Sequence, residues 1–465
     1  MRRATFLLML LITSACATAP IDDRAQVDLI VTGGIVVTIS GPNIENGAVA
    51  IRNNEIIAVG KATEIDRAFR ANEVIDATGG AVMPGLVNAH THAPMTLFRG
   101  IADDLALMDW LQNFIFPAEA RNVDAEFVRW GTRLAAAEMI LSGTTTYADM
   151  YYFEADVARE TRAAGLRGVL GETVIDFPAP DNKTWDEAIE YTRAFVNEFA
   201  NDALITPAIA PHAPYTVSAD HLAQVRDLAT ELGIPILIHV SETRDEQKQI
   251  AEAHGGMSPT EYLESIGFLG DDVIAAHGVW LSESDIALFA KHRVGLAHCP
   301  ESNMMIASGV APVPSLIAAG VELGLGTDGP AGSNNDLDMV EEMASAARLQ
   351  KVMREDPRAL GARAVLEMAT IGGAKAVGLE DRIGTIEPGK LADLIVIDLF
   401  TAGTQPIYSV ESAIVYAASG DNVTTTIVNG RVLMRDRRLL TIDLKETLHK
   451  AQEYRDRVLS SLDRE

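Results

Sequence analysis

VIAAHGVWLSESDIALFAKHRVGLAHCP, residues 273–300, holds two short apolar runs, each closed by a histidine, with a helix-length stretch between them. Short apolar runs without polar alternation read as strands covered on both faces, the pattern of a parallel sheet. The same unit repeats outward. PILIHVSE (235–242) and VELGLGTDG (321–329) flank it, and GLVNAHTH (85–92), TTTYADM (144–150), LRGVLGET (166–173) and ITPAIAPHA (205–213) precede it. Helical stretches such as AEFVRWGTRLAAAEMILSG (125–143) and SADHLAQVRDLATELG (218–233) lie between them. Eight such strands alternating with helices predict a (β/α)8 barrel, whose chemistry sits at the C-terminal ends of its strands. A doubly wound open sheet is the competing fold, but it leaves the polar strand ends unexplained.

Those ends carry His90, His92, His212, His239, His277, His298 and Asp328. A histidine in a buried strand is costly unless its nitrogens are satisfied, so a whole set at one end points to a site. His90 and His92 are two apart on a strand and face the same way. With His239 and Asp328 they can hold one divalent ion. Zinc suits such nitrogen and oxygen ligands, a catalytic zinc site keeps a position for water, and binding lowers the pKa of that water to about 7. Iron(II) or manganese fit the same donors. Glu242, three residues past His239, is placed to pass a proton from water to a ring nitrogen. His277 can hydrogen-bond the water or a leaving group. His221, His254, His292 and His449 fall in helices or loops and read as structural.

Around this core, residues 27–83 form short strand signals, VDLIVTGGIVVT, GAVAIRNNEIIAVG and NEVIDATGGAVMPG. The texture returns in LADLIVIDL (391–399) and TTIVNGRVLM (425–434). Two strand-rich ends predict a small composite β-sandwich, 21–83 with 381–440, bracketing a barrel over 84–380, and a terminal amphipathic helix within 441–465. Residues 1–20 read as a signal: Arg2-Arg3, an apolar run from Phe6 to Ile12, then Thr13-Ser14-Ala15-Cys16, which resembles a bacterial lipobox. Lipid on Cys16 would be the only membrane link, on the periplasmic side of the envelope, and Ala17 favours the outer membrane. The net charge of −27 repels phosphate backbones and argues against nucleic acid. The 2 cysteines exclude a disulfide scaffold.

PGLVNAHTH, HVSET, AAHGVW, AHCPESN and GTDG together resemble the amidohydrolase superfamily, over about residues 27–440. The similarity is strongest to the branch of methylthioadenosine/S-adenosylhomocysteine deaminases, triazine hydrolases and cytosine and guanine deaminases. The resemblance implies His90, His92, His239 and Asp328 as metal ligands, Glu242 as proton shuttle, His277 as catalytic partner, and Asp328 also as a proton acceptor. Two-metal members carry a bridging lysine at a strand end. None of the candidate strands ends in lysine, so one metal is implied, and with it hydrolytic deamination of an amino-substituted N-heterocycle. Glu119 matches the position that grips ribose hydroxyls, His212 matches a substrate-facing histidine, and Trp110 is read as pocket support. Residues 168–192 contain Lys183 but no arginine, whereas members accepting S-adenosylhomocysteine carry arginines there to bind its carboxylate; Glu172 stands about where one is expected. A substrate with a free carboxylate is disfavoured. Homo-oligomerisation is a family expectation. The alternatives are an amide- or chloro-hydrolase using the same site, and a catalytically dead envelope binding lipoprotein, which would have no need of Glu242 beside a full ligand set.

Overall fold

The computed structural model describes residues 23–462. Its centre is a closed parallel barrel. In chain order the barrel strands are Leu86–Thr91, Thr144–Tyr151, Arg167–Val174, Ile205–Pro211, Ile236–Val240, Val273–His277, Gly295–His298 and Glu322–Leu325. They are the eight apolar runs of the sequence. Every one is covered by helices outside and by small side chains inside: Ala89, Ala148, Ala208, Ala210 and Ala297 pack there with Val87, Val169 and Leu237. The barrel is thus a packed core, and its open C-terminal rim is where polar groups can gather.

The helices start and stop on local signals. Ser282 caps Glu283–His292 by accepting the Asp285 N–H at 3.1 Å, as a serine before a helix should. Gly165, with φ +89°, ends Glu154–Ala164 in the left-handed conformation, which glycine adopts without strain. The terminal helix runs Leu444–Leu462 and buries Tyr454 and Val458, with the Tyr454 ring edge-on to Phe127 at 5.5 Å.

Two sheets flank the barrel. One is N-terminal throughout: Glu55–Lys61, Gly47–Arg52, Ala25–Thr32 and Phe69–Asp76, in that order. The other joins both ends of the chain. Ile35–Val36 and Gly80–Pro84 continue into Leu394–Asp398, Val423–Val428, Arg431–Arg435 and Arg438–Leu439. Leu29, Val31, Val49 and Ile75 of the first sheet share a core with Val82, Leu394, Val396 and Ile427 of the second, so the sheets form a sandwich. Arg167, at the start of the third barrel strand, ties barrel to sandwich. Its Nε donates to Asp393 Oδ2 at 2.8 Å and its Nη2 to Oδ1 at 3.2 Å, with both residues buried. Cys16 lies outside the described residues. Cys299 is a free, buried thiol. Among the described residues no helix is long and apolar enough to cross a membrane.

Candidate active site

The C-terminal rim brings the strand-end residues together. His90 and His92 flank Thr91, whose hydroxyl donates to Asp149 Oδ1 at 2.5 Å; the Ala93 N–H donates to the same oxygen at 2.6 Å. That carboxylate holds the end of the first strand in shape. His92 Nδ1 lies 2.6 Å from the Met150 carbonyl, and His239 Nδ1 lies 2.6 Å from the His212 carbonyl. A carbonyl only accepts, so both Nδ1 atoms carry the hydrogen and both Nε2 lone pairs are free to ligate.

Those two Nε2 atoms are 3.3 Å apart. Two such nitrogens stand that close only with a proton or a cation between them. His90 Nε2 is buried with no hydrogen-bond partner, and Asp328 Oδ1 is 3.3 Å from it and 3.2 Å from His92 Nε2. The donor set therefore fits a divalent cation. His90, His239, His277 and Asp328 each offer a ligand atom within 4.8 Å of the others. His277, expected as a catalytic partner, is thus a member of this group, whereas His92, expected as a ligand, reaches it through its Nε2 contacts to Asp328 and His239.

The loop after the eighth strand is built to aim Asp328. Asn88 donates to Thr327 Oγ1 at 2.7 Å and accepts the Thr327 N–H at 3.1 Å. Ser302 donates to Asp328 Oδ2 at 2.7 Å, which leaves Oδ1 toward the histidines. Burial holds the His90 imidazole down at about 4. For His92 burial acts the same way, but Asp328, Asp149 and the Met150 carbonyl together outweigh it and lift the ring to about 9. His277 Nδ1 meets Asn303 Oδ1 at 3.2 Å, and its Nε2 is 3.9 Å from Glu242 Oε2. Asn303 therefore fixes the ring of His277.

Glu242 is buried, and burial raises its carboxyl pKa while His277 lowers it. The neutral acid is within reach of a proton-transfer cycle. It does not cap the helix that follows. Thr243 is the N-cap of Arg244–Ala253, so Glu242 is left to the cavity.

These groups floor a cavity at the barrel rim. Trp110, Phe116, Tyr151, Tyr152 and Tyr215 wall it, with Glu119 and His212. Tyr151 donates to Glu119 Oε1 at 2.7 Å, and burial pushes the Glu119 carboxyl up to about 7 against that bond. Burial lowers His212 to about 3, so it is neutral. Trp110 Nε1 donates to the Ala331 carbonyl at 2.8 Å, which fixes its ring at the wall. His92, His212, His239, His277, Asp328, Glu242, Glu119 and Trp110 line this cavity, while His90 lies beneath it in the ligand group.

Other residues turn away. Glu172 accepts the Glu154 N–H at 3.0 Å and the Asn182 side-chain amide at 3.1 Å, behind the cavity wall. Lys183 donates to the Ala179 and Pro180 carbonyls at 2.6 and 3.0 Å, and lines an adjoining pocket that shares Phe116, Glu119 and Tyr152 with the cavity. His298 is buried outside the cavity lining. Among the described residues no lysine or arginine lines the cavity. The aromatic wall and Ser302 escape motif reading, because a tyrosine or serine beside a strand has no chain-local mark of where it points. The serine in AHCPESN, next to Asn303, is the nearest thing to such a signal.

A barrel whose rim gathers histidines and an aspartate around one position defines a metal-dependent hydrolase. Residues 81–433 match the sequence profile of the Amidohydrolase family, and the chain belongs to that family, as a hydrolase of non-peptide carbon–nitrogen bonds. A 5-methylthioadenosine/S-adenosylhomocysteine deaminase from Syntrophobacter fumaroxidans is 47% identical over 430 residues, covering 92% of this chain and 98% of the relative. A 5′-deoxyadenosine deaminase from Methanobrevibacter smithii is 47% identical, covering 87% and 92%. The crystal structure of a zinc-bound adenosine deaminase from Xanthomonas campestris superposes with a TM-score of 0.92 at 41% identity, covering 94% of this chain and all of that one.

Proposed function

We propose that the chain hydrolyses the 6-amino group from a purine nucleoside whose 5′ end carries no negative charge. The observation that carries this is the cavity: proton-transfer groups at its floor, Glu119 on one wall, aromatic rings between, and no cationic side chain in the lining. Relatives that bear the names of nucleoside deaminases support it. Inside the cavity an anionic 5′ group would stand close to Glu119 with no cation in the lining, which is unfavourable in a site of low dielectric, and Lys183 of the adjoining pocket is held by two backbone carbonyls.

His90, His92, His239 and Asp328, with His277 beside them, would hold a single divalent ion, zinc by its donor set. Such an ion supplies Lewis-acid activation of water when bound. The chain's own groups do the rest. Glu242 gives a proton to the ring nitrogen next to the carbon attacked, and Asp328 accepts one from the water. The water oxygen bonds to that carbon, the proton taken by Asp328 passes to the amino group, the carbon–nitrogen bond breaks and ammonia leaves, and the hydroxyl proton left on the new oxygen returns to Glu242 as the carbonyl forms. His277 hydrogen-bonds the reacting oxygen. Glu119 accepts from sugar hydroxyls, and His212 donates toward the substrate as a neutral ring.

The test is ammonia release by zinc-loaded protein on adenosine, 5′-deoxyadenosine, 5′-methylthioadenosine, S-adenosylhomocysteine and adenosine 5′-monophosphate, with guanine and a chlorotriazine alongside. The first three should show the highest kcat/KM, chelation should abolish turnover, and metal analysis should give close to one ion per chain. Equal or better turnover of the charged substrates sinks the 5′ assignment. Chloride release without ammonia release points instead to the chloro-hydrolase alternative.

We also propose export and tethering to the envelope through lipid on Cys16, supported by Arg2-Arg3, the Phe6–Ile12 run and Thr13-Ser14-Ala15-Cys16. Cys16→Ser should release the protein from the membrane fraction. An unmodified mature N-terminus in the wild type overturns it.

A further inference from the structure

The turn after the fifth barrel strand carries Glu242 on irregular backbone, three residues past His239 and just beyond the strand's end at Val240. Ser241 has φ +57°, a left-handed conformation that disfavours any residue with a Cβ. Something must hold the turn there, and Glu246 makes the contacts that do. Its Oε1 accepts the Ser241 N–H at 2.8 Å and its Oε2 accepts the Glu242 N–H at 2.7 Å. The side chain is 4% exposed and sits in the first turn of Arg244–Ala253. On the far side the Ser241 carbonyl accepts the Trp280 N–H at 2.9 Å.

We propose that Glu246 is a positioning residue for the proton transfer: by gripping two successive amides it sets where the Glu242 carboxyl stands in the cavity. The proposal rests on the reading of Glu242 as the proton shuttle. Burial pushes the Glu246 carboxyl up to about 8 and the two amide N–H groups favour its ionised form; as a carboxylate it is the one side chain of this size with an acceptor on both arms. Glutamine at 246 would keep the volume but turn an –NH2 donor against one of the two N–H groups. The turn would shift, and Glu242 would move with it. An ordinary helix cap needs only one acceptor toward the helix's own amides. Here Thr243 already fills that place, accepting the Glu246 N–H at 3.2 Å, so the Glu246 carboxylate is free to act backwards onto the turn.

The experiment compares wild type, Glu246→Gln, Glu242→Gln and the double variant as zinc-loaded full chains, with 5′-deoxyadenosine as substrate. Metal content, Tm, kcat and KM are read on the same preparations. Glu246→Gln should keep its ion and hold KM within about threefold, while kcat falls roughly tenfold or more. The double variant should be no slower than Glu242→Gln, because two residues acting through one group are not additive. Glu246→Asp keeps both acceptors and should recover part of kcat. Wild-type kcat in Glu246→Gln, a lower Tm alone, loss of the ion, or a full multiplicative loss in the double variant would each overturn the proposal. If Glu246→Gln does not fold, Glu246→Asp decides by the same split between kcat and KM and by the same double variant with Glu242→Gln. If Glu242→Gln itself stays active, the shuttle reading falls, whatever Glu246→Gln does.

Discussion

Glu242 lies buried 3.9 Å from His277, enclosed enough for its proton to be held as well as lost. Glu242→Gln keeps the size and leaves the ligand group intact, so the ion should remain and KM should change little. Turnover should fall about 10²–10⁴-fold, the contribution of a positioned acid or base. Retention of more than about a tenth of kcat with the ion in place would move the proton work to Asp328 or His277. The ligand histidines make a second prediction. Asp328, Asp149 and the Met150 carbonyl together lift His92 to about 9, so after chelation that ring holds a proton at neutral pH and loses it only above about 9. Ligation needs the neutral ring. Zinc uptake by the chelated protein at pH 7 should release close to one proton from this group, and affinity should rise about tenfold per pH unit below 9. Calorimetry in buffers of different ionisation enthalpy counts the protons. Uptake without proton release contradicts the Asp328–His92 contact.

At the scale of elements, the site depends on how tightly the first strand's turn is packed. The helix Ala125–Ser142 passes over the turn Ala93–Phe98 at Gly131, where a Cβ would come within 2.3 Å of the Pro94 carbonyl oxygen. Backbone cannot give way there without moving His92. Gly131→Ala should therefore cost about 1–3 kcal/mol, as overpacking does, and weaken zinc retention. Gly361→Ala, where a Cβ would meet nothing within 4 Å, should stay within about 0.5 kcal/mol of wild type. Denaturant melts of both check the pair. A similar economy of space lies at Gly295, whose Cβ would stand 2.0 Å from the Ala376 carbonyl oxygen. Barrel strands and their covering segments meet closely here because small residues were placed at the crossings. This is also why most of the eight strands were readable: both their faces are covered, so apolar residues dominate most of the runs before the rim.

Across the whole molecule, barrel and sandwich are joined by a buried ion pair as well as by apolar packing. Arg167 and Asp393 are both nearly inaccessible; the Asp393 carboxylate also accepts the Asn429 N–H at 2.7 Å, and Arg167 donates to the Ala203 carbonyl at 3.0 Å. Asp393→Asn leaves the guanidinium charge buried without its counter-charge, and should cost about 3–5 kcal/mol. Arg167→Met with Asp393→Asn removes that charge and should be less damaging than Asp393→Asn alone, read from urea melts. A double variant as unstable as the sum of the singles would mean that the two sites do not couple.

The barrel and the composite sandwich were written along the chain. Apolar runs that end in histidine or aspartate are expensive unless the polar ends meet, so local pattern pointed to the strand-end histidines and Asp328 as a group, and the resemblance singled out four of them as ligands. Strand signals at both ends of the chain likewise announced a sheet made from both. The tertiary structure decided what depends on direction. It drew His277 in beside the ligands, turned Glu172 behind the wall where it binds the Glu154 amide, and closed Glu246 onto two backbone amides. It also assembled an aromatic wall without cations from segments far apart in sequence. The physical reason is range. Burial period and strand ends are properties of neighbouring residues, whereas the aim of a side chain is set by the groups it meets across the fold.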